Sequence, residues 1–364
     1  MIILLSVTVF IILLYLAYPV WLAALPPVQD EENSGSQPID GVSVVLLSYN
    51  GSHFLKEKIG FLLQELSAFK EYELIIIDDH SNDGSSEIIR DFAGNNKVKP
   101  IIKQERRGIP DSMNIAAKCA IYDHIVFCDQ RQQLSEKVIR RLVEPFGDRR
   151  IGAVSACISD HDKAHCCSRI RAYENYVKCL ESRTGNLIGV YGPLYAIRKS
   201  SYTPIPDDII LDDLYLSLKI MADSQVRIIK ECLITDESHL ALNDYHRARR
   251  YTDGFIQLAG EKGLISGLST RQKIMLTWHK YLRLLIPVLM LTSYASMGIM
   301  SIREKAYFIP FIIITAYALI LPLPLKLKLH TSLKNILKIN VFYFFAILEA
   351  GISQIIPKKN LTHK

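Results

Sequence analysis

Two pairs of carboxylates are the residues of this chain best placed to do chemistry. Asp78 and Asp79 end an apolar, strand-like run, and Asp212 and Asp213 begin a helical pattern. Asp129 ends a further apolar run between the two pairs. A single pair is typical of a solvated turn or a helix cap, but two pairs and a third run ending in Asp favour a site at the edge of a sheet. Such a site suits a nucleotide diphosphate and its metal ion.

Strand-like and helix-like segments alternate through the middle of the chain. The predicted strands cover 42–50, 72–79, 98–103, 124–129 and 190–198, and the predicted helices cover 54–69, 85–94, 110–120 and 135–146, the last opened by Ser135. This alternation predicts an α/β fold with a mostly parallel sheet that is covered on both faces. Ligands of such sheets bind beyond the carboxyl ends of the strands. Asn50, Asp78, Asp79 and Asp129 all stand at predicted strand ends, so we expect them to share one site.

Five motifs in order resemble the family-2 glycosyltransferases, which have a Rossmann-like, nucleotide-sugar-binding GT-A fold. They are VSVVLLSYN with ELIIIDDHSNDGS, the Gly-rich loop and helix RRGIPDSMNIA (106–116), the DxD-type strand HIVFCDQ (124–130), the ED-type element ILDDLYLSLKI (210–220) and RARRY (247–251), which is similar to QxxRW. The resemblance covers roughly 42–260. It extends to membrane synthases of cellulose, hyaluronan, chitin and poly-N-acetylglucosamine, which have apolar spans on both sides of this domain.

The resemblance implies a set of site residues. Asp213 would be the catalytic base, and Asp212, Arg247, Arg250 and Tyr251 would serve the acceptor and the diphosphate. The nucleotide sugar would meet Ser48, Tyr49, Asn50, Asp78, Asp79, Gly108, Asn114, Asp129 and Arg131. Similar segments also place Glu174 and Glu181 on the acceptor side.

Two motifs depart from the family pattern. The DxD position reads Asp129-Gln130-Arg131, so the second acid is replaced by a base. Asp129 would then hold Mg²⁺ or Mn²⁺ alone with phosphate oxygens, or Arg131 would supply part of the charge. The QxxRW position has neither Gln nor Trp, and Tyr251 in place of Trp puts processive polymer synthesis in doubt.

The implied function is inverting transfer of a sugar from a nucleotide sugar, expected to be a UDP-sugar, to a membrane-associated glycan or lipid-linked acceptor in cell-surface polysaccharide synthesis. One alternative is a catalytically degenerate partner of another glycosyltransferase, motivated by Arg131 and Tyr251. A second alternative, a nucleotidyltransferase, requires a Gly-rich loop with a basic residue after the first strand, and the segment SYNGSHF (48–54) has no such loop.

Some of these residues also have plainer explanations. Asp78 and Asp79 could precede an Asx-type turn, and Asp213 could be a helix N-terminal charge. The basic residues from Arg247 to Arg250 could form a face on the membrane surface.

Long apolar runs divide the chain into regions. We predict an anchor at 1–25, a linker at 26–40, the GT-A domain at 41–262, an amphipathic interfacial segment at 263–283, two to three membrane helices within 284–356 and a tail at 357–364. The first run lacks a basic n-region and a good cleavage site, which favours a retained anchor. The last run carries Glu349, so it could instead lie in the interface or face a protein cavity.

The charge pattern predicts the orientation and the partners. Four lysines within 326–338 favour a cytoplasmic loop, which places the catalytic domain in the cytoplasm of an integral protein of a bacterial-type plasma membrane. The seven cysteines show no disulfide framework, and the cluster from His161 to Cys167 matches no standard zinc spacing. The net charge of +6 suits anionic lipids or substrates, and no aromatic–basic tract indicates nucleic acid. Export subunits would be further partners.

Overall fold

A single eight-stranded sheet is the centre of the molecule. The structure, a computed structural model, describes residues 2–28, 39, 41–160, 166–236, 245–320, 338 and 340–351. The strands are β1 (Gly41–Ser48), β2 (Glu71–Asp78), β3 (Val98–Ile102), β4 (His124–Asp129), β5 (Gln133–Leu134), β6 (Ile151–Asp160), β7 (Leu194–Arg198) and β8 (Gln225–Asp236). Their order in the sheet is β3-β2-β1-β4-β7-β6-β8-β5.

The first four strands form the parallel part of the sheet. Strand β1 pairs in parallel with β2 and β4, and β2 pairs in parallel with β3. Apolar residues of these strands are buried on both faces, which is why the runs lack a polar–apolar alternation. The register aligns Ser48 with Asp78 and Leu47 with Asp129, so the three carboxyl ends meet at one edge.

The other half of the sheet is mixed. Strand β7 runs antiparallel to β4 and β6, β5 runs antiparallel to β8, and β6 and β8 are parallel. Six of the eight strands, β1 to β4 with β6 and β8, run in one direction, so the prediction of a mostly parallel sheet is confirmed, with β7 and β5 as the two reversed strands. The periodicity of an apolar run reports burial and carries no information about strand direction.

Helices cover both faces of the sheet and continue toward the carboxyl terminus. Those of the sheet domain are α2 (Ser52–Leu66), α3 (Ser85–Asp91), α4 (Ile109–Cys119), α5 (Val138–Val143), α6 (Cys166–Arg183) and α7 (Asp212–Asp223). They are followed by α8 (Tyr245–Gly260), α9 (Lys262–Ser266), α10 (Thr270–Leu276), a π-helical turn (Thr277–Tyr281) and α11 (Leu282–Leu284). The apolar helices are α1 (Ile2–Ala24), α12 (Ile286–Arg303), α13 (Lys305–Ile320) and α14 (Asn340–Gly351).

Several predicted boundaries shift in the structure. Helix α5 begins at Val138 rather than at Ser135, and the buried Ser135 hydroxyl has no hydrogen-bond partner among the described residues, so it does not cap the helix. The strand predicted at 190–198 begins only at Leu194, after a loop. Most of the predicted linker, the residues 161–165 and the tail at 357–364 lie outside the described residues.

The apolar helices differ in length and in how much of their surface contacts the rest of the protein. Within the described ranges, α12 is the helix long and apolar enough to cross a bilayer by length and composition, and the apolar segments Val9–Ala24 and Asn340–Gly351 are shorter. Helix α1 docks on the sheet domain through a buried stripe of Leu14, Tyr18 and Leu22 at four-residue spacing. The anchor predicted at 1–25 is thus an α-helix with one face in contact with protein.

Candidate functional site

Hydrogen bonds join the carboxyl ends of β2, β1 and β4 into one site. The Asp79 N–H donates to the Ser48 carbonyl at 2.9 Å. The Ser48 hydroxyl donates to Oε1 of Gln130 at 2.9 Å, and Nε2 of Gln130 donates to the Tyr49 carbonyl at 2.9 Å. Gln130 therefore bridges the ends of β1 and β4. A Cβ on Gly51 would lie 2.2 Å from Oε1 of Gln130, so only glycine leaves room for this bridge.

Asp79 is the carboxylate that closes the loop before α4. Its oxygens accept from the N–H groups of Arg107 at 3.0 Å and Gly108 at 2.9 Å, and Nζ of Lys103 lies 2.6 Å away. Burial raises the pKa of the Asp79 carboxyl, but these donors outweigh it and hold the pKa below its usual value. Gly108 has φ of 87°, a conformation that favours glycine. Asp79 and Gly108 thus form one element of the site.

Asp78 is fully buried and serves the turn that follows β2. Its carboxylate accepts from the Ser81 and Ser86 hydroxyls, and Oδ1 of Asn50 accepts from the Asn82 N–H at 3.0 Å. Asn50 has φ of 47°, which places its side chain over this turn. These contacts correspond to the turn that the plainer explanation of Asp78 foresaw.

An exposed aromatic and two arginines border the edge of the sheet. The guanidinium of Arg106 lies 3.9 Å from the ring centroid of Tyr49, a cation–π arrangement. Nη2 of Arg131 is 3.9 Å from Oδ2 of Asp129, and the Arg131 side chain is 67% exposed. Oδ1 of Asp129 accepts from the Gln130 N–H at 2.7 Å. Arg131 is therefore a loosely held partner of Asp129.

The donor set at Asp129 decides whether a metal ion fits. Among the described residues, no three His, Cys, Asp or Glu side chains come together as a metal-binding group. One half-buried carboxylate would bind Mg²⁺ or Mn²⁺ only weakly, but these ions accept few protein carboxylates when phosphate oxygens complete the shell. The residues present thus fit a metal that arrives with a diphosphate.

Asp212 and Asp213 form the second part of the site at the start of α7. A Cβ on Gly192 would lie 3.2 Å from Oδ2 of Asp213, and the Pro193 carbonyl accepts from the Asp129 N–H at 2.9 Å. The loop at 192–193 therefore connects the Asp129 end of the sheet with the carboxylate pair.

The two members of this carboxylate pair differ in their electrostatic surroundings. Burial, and then the charge of Asp213, raise the pKa of Asp212 to about 7, while Arg250 opposes this rise. Asp212 therefore holds its proton to a higher pH than an ordinary carboxyl does, and Asp213 is the member of the pair that faces the loop at 192–193.

Asn114 uses its amide for hydrogen bonds within the protein. Nδ2 donates to the Ile205 carbonyl at 2.7 Å, and Oδ1 accepts from the Tyr202 hydroxyl at 2.7 Å and the Ile205 N–H at 2.9 Å. Asn114 thereby fixes the loop that leads toward α7 and is not directed at the ends of β1 and β2.

Helix α8 brings Arg250 of the RARRY element to the carboxylate pair. Arg250 is close enough to Asp212 to lower its pKa. Nη2 of Arg247 lies 3.4 Å from the Tyr251 hydroxyl, and its guanidinium carbon is 5.6 Å from the centroid of that ring. The structure thus places Arg250 near Asp212 at the start of α7, and Arg247 against Tyr251 one turn along α8.

Glu174 and Glu181 lie in a buried ionic cluster instead of lining an open acceptor surface. Nδ1 of His279 is 2.6 Å from Glu181 and Nε2 is 3.0 Å from Glu174, which also pairs with Arg283. The Tyr18 hydroxyl of α1 donates to Glu181 at 2.6 Å. Burial raises the pKa of both glutamates, but the surrounding cations and donors outweigh it and hold both pKa values below their usual range. This cluster ties α1 to the domain.

Sequence reasoning missed Gln130, Lys103 and Arg106 as site residues. Lys103 directly follows β3 and pairs with Asp79 and Asp111, with its side chain only 7% exposed. A charged residue at the end of an apolar strand, at the same sheet edge as Asp79, was a usable signal. The roles of Gln130 and Arg106 depend on contacts with β1 that sequence spacing does not reveal.

Comparisons with known proteins agree with this geometry. Residues 43–202 match the family described as Glycosyl transferase family 2. The poly-beta-1,6-N-acetyl-D-glucosamine synthase of Staphylococcus epidermidis strain RP62A is 26% identical over 196 residues, or 51% of this chain and 47% of the relative. The synthase of the same name from Staphylococcus aureus strain COL is 25% identical over 192 residues, or 50% and 46%. The chain spans about half the length of the curated relatives it matches.

A solved structure extends the similarity along the chain. The mannosyltransferase PcManGT from Pyrobaculum calidifontis, solved in complex with GDP-Man and Mn²⁺, superposes with a TM-score of 0.77 at 18% identity, covering 98% of this chain and 99% of that chain. At this identity the similarity shows the fold alone. The sheet domain has a mixed α/β, GT-A-like architecture.

Proposed function

We propose that this chain, which carries a glycosyl transferase family 2 domain and is a glycosyltransferase, moves a sugar from a nucleotide sugar to a membrane-associated glycan or lipid-linked acceptor. The observation that carries the proposal is the loop at 192–193, which joins Asp129 at the end of β4 to Asp213 at the start of α7. A donor diphosphate and an acceptor hydroxyl bound at these two carboxylates would meet between them. We expect a UDP-sugar donor and a role in cell-surface polysaccharide synthesis.

The nucleotide would bind at the edge formed by β2, β1 and β4. Ser48, Tyr49, Asn50 and Asp79 stand where polar groups would meet the base and the ribose. Arg106 already stacks on Tyr49 and adds positive charge at the rim for an anionic ligand. Asp78 would act through the turn that it holds, and Asn114 through the loop at 202–205.

The diphosphate would lie between Asp129 and the arginines of α8. A divalent cation bound by Asp129 and phosphate oxygens would supply charge stabilisation for the leaving diphosphate. Arg250 acts on Asp212, and the positive charges of Arg250 and Arg247 on the same helix would also stabilise the leaving group. Arg131, held only loosely by Asp129, is free to turn toward a phosphate.

Asp213 would take the proton of the acceptor hydroxyl. Burial and the charge of Asp213 raise the pKa of Asp212 to about 7, whereas Asp213 faces the loop that reaches Asp129, so we assign the role of base to Asp213. A single base and direct displacement would invert the anomeric carbon. The degenerate-partner alternative is not favoured, because the carboxylate needed as a base is present and faces the loop that reaches Asp129.

The experiment is a donor screen with a matched pair of variants. Purified protein is incubated with a panel of nucleotide sugars, with native membrane extract added as the source of acceptor, and the released nucleoside diphosphate is measured. With the active donor, Asp213→Asn should lower turnover about 10²-fold or more and leave nucleotide binding nearly unchanged. Asp207→Asn makes the same chemical change at an exposed residue of the preceding loop and should keep wild-type turnover. Near wild-type turnover in Asp213→Asn would remove it from the mechanism.

A further inference from the structure

A carboxylate stands in the apolar helix α14. Glu349 is surrounded in sequence by FYFFAIL and AGI, and an ionised side chain in such a segment is costly unless it is paired. Its oxygens meet two groups of α8: Oε1 pairs with Nη1 of Arg249, and Oε2 accepts from the Tyr245 hydroxyl at 2.5 Å. Tyr245 also packs edge-on against Phe342, one face of α14. The charge thus docks α14 on α8.

Arg249 lies in the middle of the basic element of α8. It pairs at 2.7 Å with Asp253 one turn later, so it is held from both sides. Arg250, which acts on Asp212, is the next residue. A displacement of Arg249 would therefore carry Arg250 with it, because both belong to the same helical turn.

The far end of α8 grips the segment that leads into the carboxylate pair. Gln257 donates from Nε2 to the Asp208 carbonyl at 2.8 Å and accepts from the Ile210 N–H at 3.0 Å. A Cβ on Gly254 would lie 2.4 Å from Cγ of Leu211, so the helix touches this segment closely. Leu211 directly precedes Asp212. Helix α8 thus connects α14 to the start of α7 through continuous contacts.

We propose that Glu349 is a positioning residue for the transfer reaction: by docking α14 on Arg249, it fixes α8 and thereby sets Arg250 and the segment 208–211 relative to Asp212 and Asp213. The proposal rests on the proposed function for its kinetic consequence but not for its structural one. It makes the docking of an apolar helix a condition for an ordered base and diphosphate site.

The first test is independent of any substrate. Hydrogen exchange of the full chain in lipid nanodiscs is measured for wild type, Glu349→Gln and Asp123→Asn. Glu349→Gln keeps the shape of the side chain and removes its charge, and we expect faster exchange in α8 and in 208–214. Asp123→Asn weakens the Arg198–Asp123 pair, whose charged groups are 3.3 Å apart at the amino end of β4. It should leave the exchange rates of both segments unchanged. Faster exchange in α8 with an unchanged rate in 208–214 would overturn the proposal.

The second test uses the donor found by the screen. Glu349→Gln should lower kcat about fivefold or more, with a smaller effect on the donor KM, because Arg250 would act on charge that develops on the leaving diphosphate. Arg249→Gln should lower kcat at least as much, because it also breaks the pair with Asp253, and the double variant should be no worse than Arg249→Gln, since both substitutions remove the Glu349–Arg249 contact. Wild-type kcat in Glu349→Gln, or additive losses in the double variant, would refute the positioning role.

The two tests separate the two proposals. If wild type turns over no donor while exchange in 208–214 responds to Glu349→Gln, the proposed function fails and the coupling stands. If the donor is turned over and Glu349→Gln changes neither exchange nor kcat, the coupling fails and the function stands.

Discussion

Asp212→Asn should stabilise the folded chain above neutral pH while it disturbs the site. Burial and the neighbouring charge of Asp213 raise the pKa of Asp212 from 3.8 to about 7 in the folded state. The folded state therefore holds this proton more tightly than the unfolded chain does. The contribution of Asp212 to the free energy of unfolding must therefore decrease as pH rises from about 4 to about 7, and it stays constant above that range.

The size of the effect follows from the pKa difference. At about 1.4 kcal/mol for each tenfold change in proton affinity, the rise to about 7 corresponds to about 4 kcal/mol of stability lost by pH 8. Asparagine has a similar shape and no charge to bury, so Asp212→Asn should recover up to this amount. At about 2–4 °C per kcal/mol, the apparent Tm at pH 8 should rise by several degrees.

The assay compares thermal unfolding of detergent-solubilised wild type and variant from pH 4 to pH 8. The difference in Tm should be small at pH 4 and largest at pH 8, whereas Asp207→Asn, an exposed carboxylate of the same loop, should show little difference at any pH. Arg250→Gln gives the opposite sign, because losing its positive charge raises the pKa of Asp212 further and increases the penalty near pH 7. A variant Asp212→Asn that is no more stable than wild type at pH 8 would refute the reasoning.

Two further predictions concern the metal and the orientation. Activity should vanish with chelator and return with Mg²⁺ or Mn²⁺. Arg131→Asp should tighten metal binding measured by calorimetry, because it adds a carboxylate beside Asp129 and removes a positive charge that repels the metal ion. Full activity in chelator that is lost in Arg131→Ala would instead assign the stabilising charge to Arg131. An impermeant maleimide should modify Cys119, a partly exposed thiol of the sheet domain, only after cells are permeabilised, as peptide mapping would detect; labelling of intact cells would place the domain outside.

The ends of the parallel strands were predictable because two local signals coincide there. An apolar run gives a buried strand, and a polar residue after it marks the carboxyl end. Parallel neighbours then bring Asn50, Asp79 and Asp129 to one edge without any further information. The start of α7 at Asp212 was predictable in the same way, since acids are favoured in the first turn of a helix.

Other features depend on contacts between residues far apart in the chain. The Gln130 bridge spans about 80 residues, and Gln130 as a sequence element only indicated a departure from a motif. Strand β7 lies between β4 and β6 and runs antiparallel to both, and the periodicity of its residues indicates neither its place nor its direction. A charged residue in an apolar helix predicts that Glu349 has a partner, but only the fold identifies that partner as Arg249, 100 residues earlier in the chain.

The first apolar helix is held to the sheet domain more firmly than a tether would be. Arg183 of α6 donates to the carbonyls of Leu22, Ala23 and Leu25 at the end of α1, and the indole of Trp278 donates to the Leu14 carbonyl at 3.2 Å. Each bond satisfies a backbone carbonyl near the carboxyl end or on the packed face of α1.

The buried ions at this junction explain why the contact resists separation. Removing α1 would take the Tyr18 donor from Glu181, a carboxylate with no exposed surface, and an unsatisfied buried charge is far more costly than a broken surface pair. The same α6 carries Lys178, which donates to the Gly189 carbonyl at the start of the loop that reaches Asp213. Helix α1, through α6, and helix α14, through α8, thus both contact elements next to the carboxylate pair.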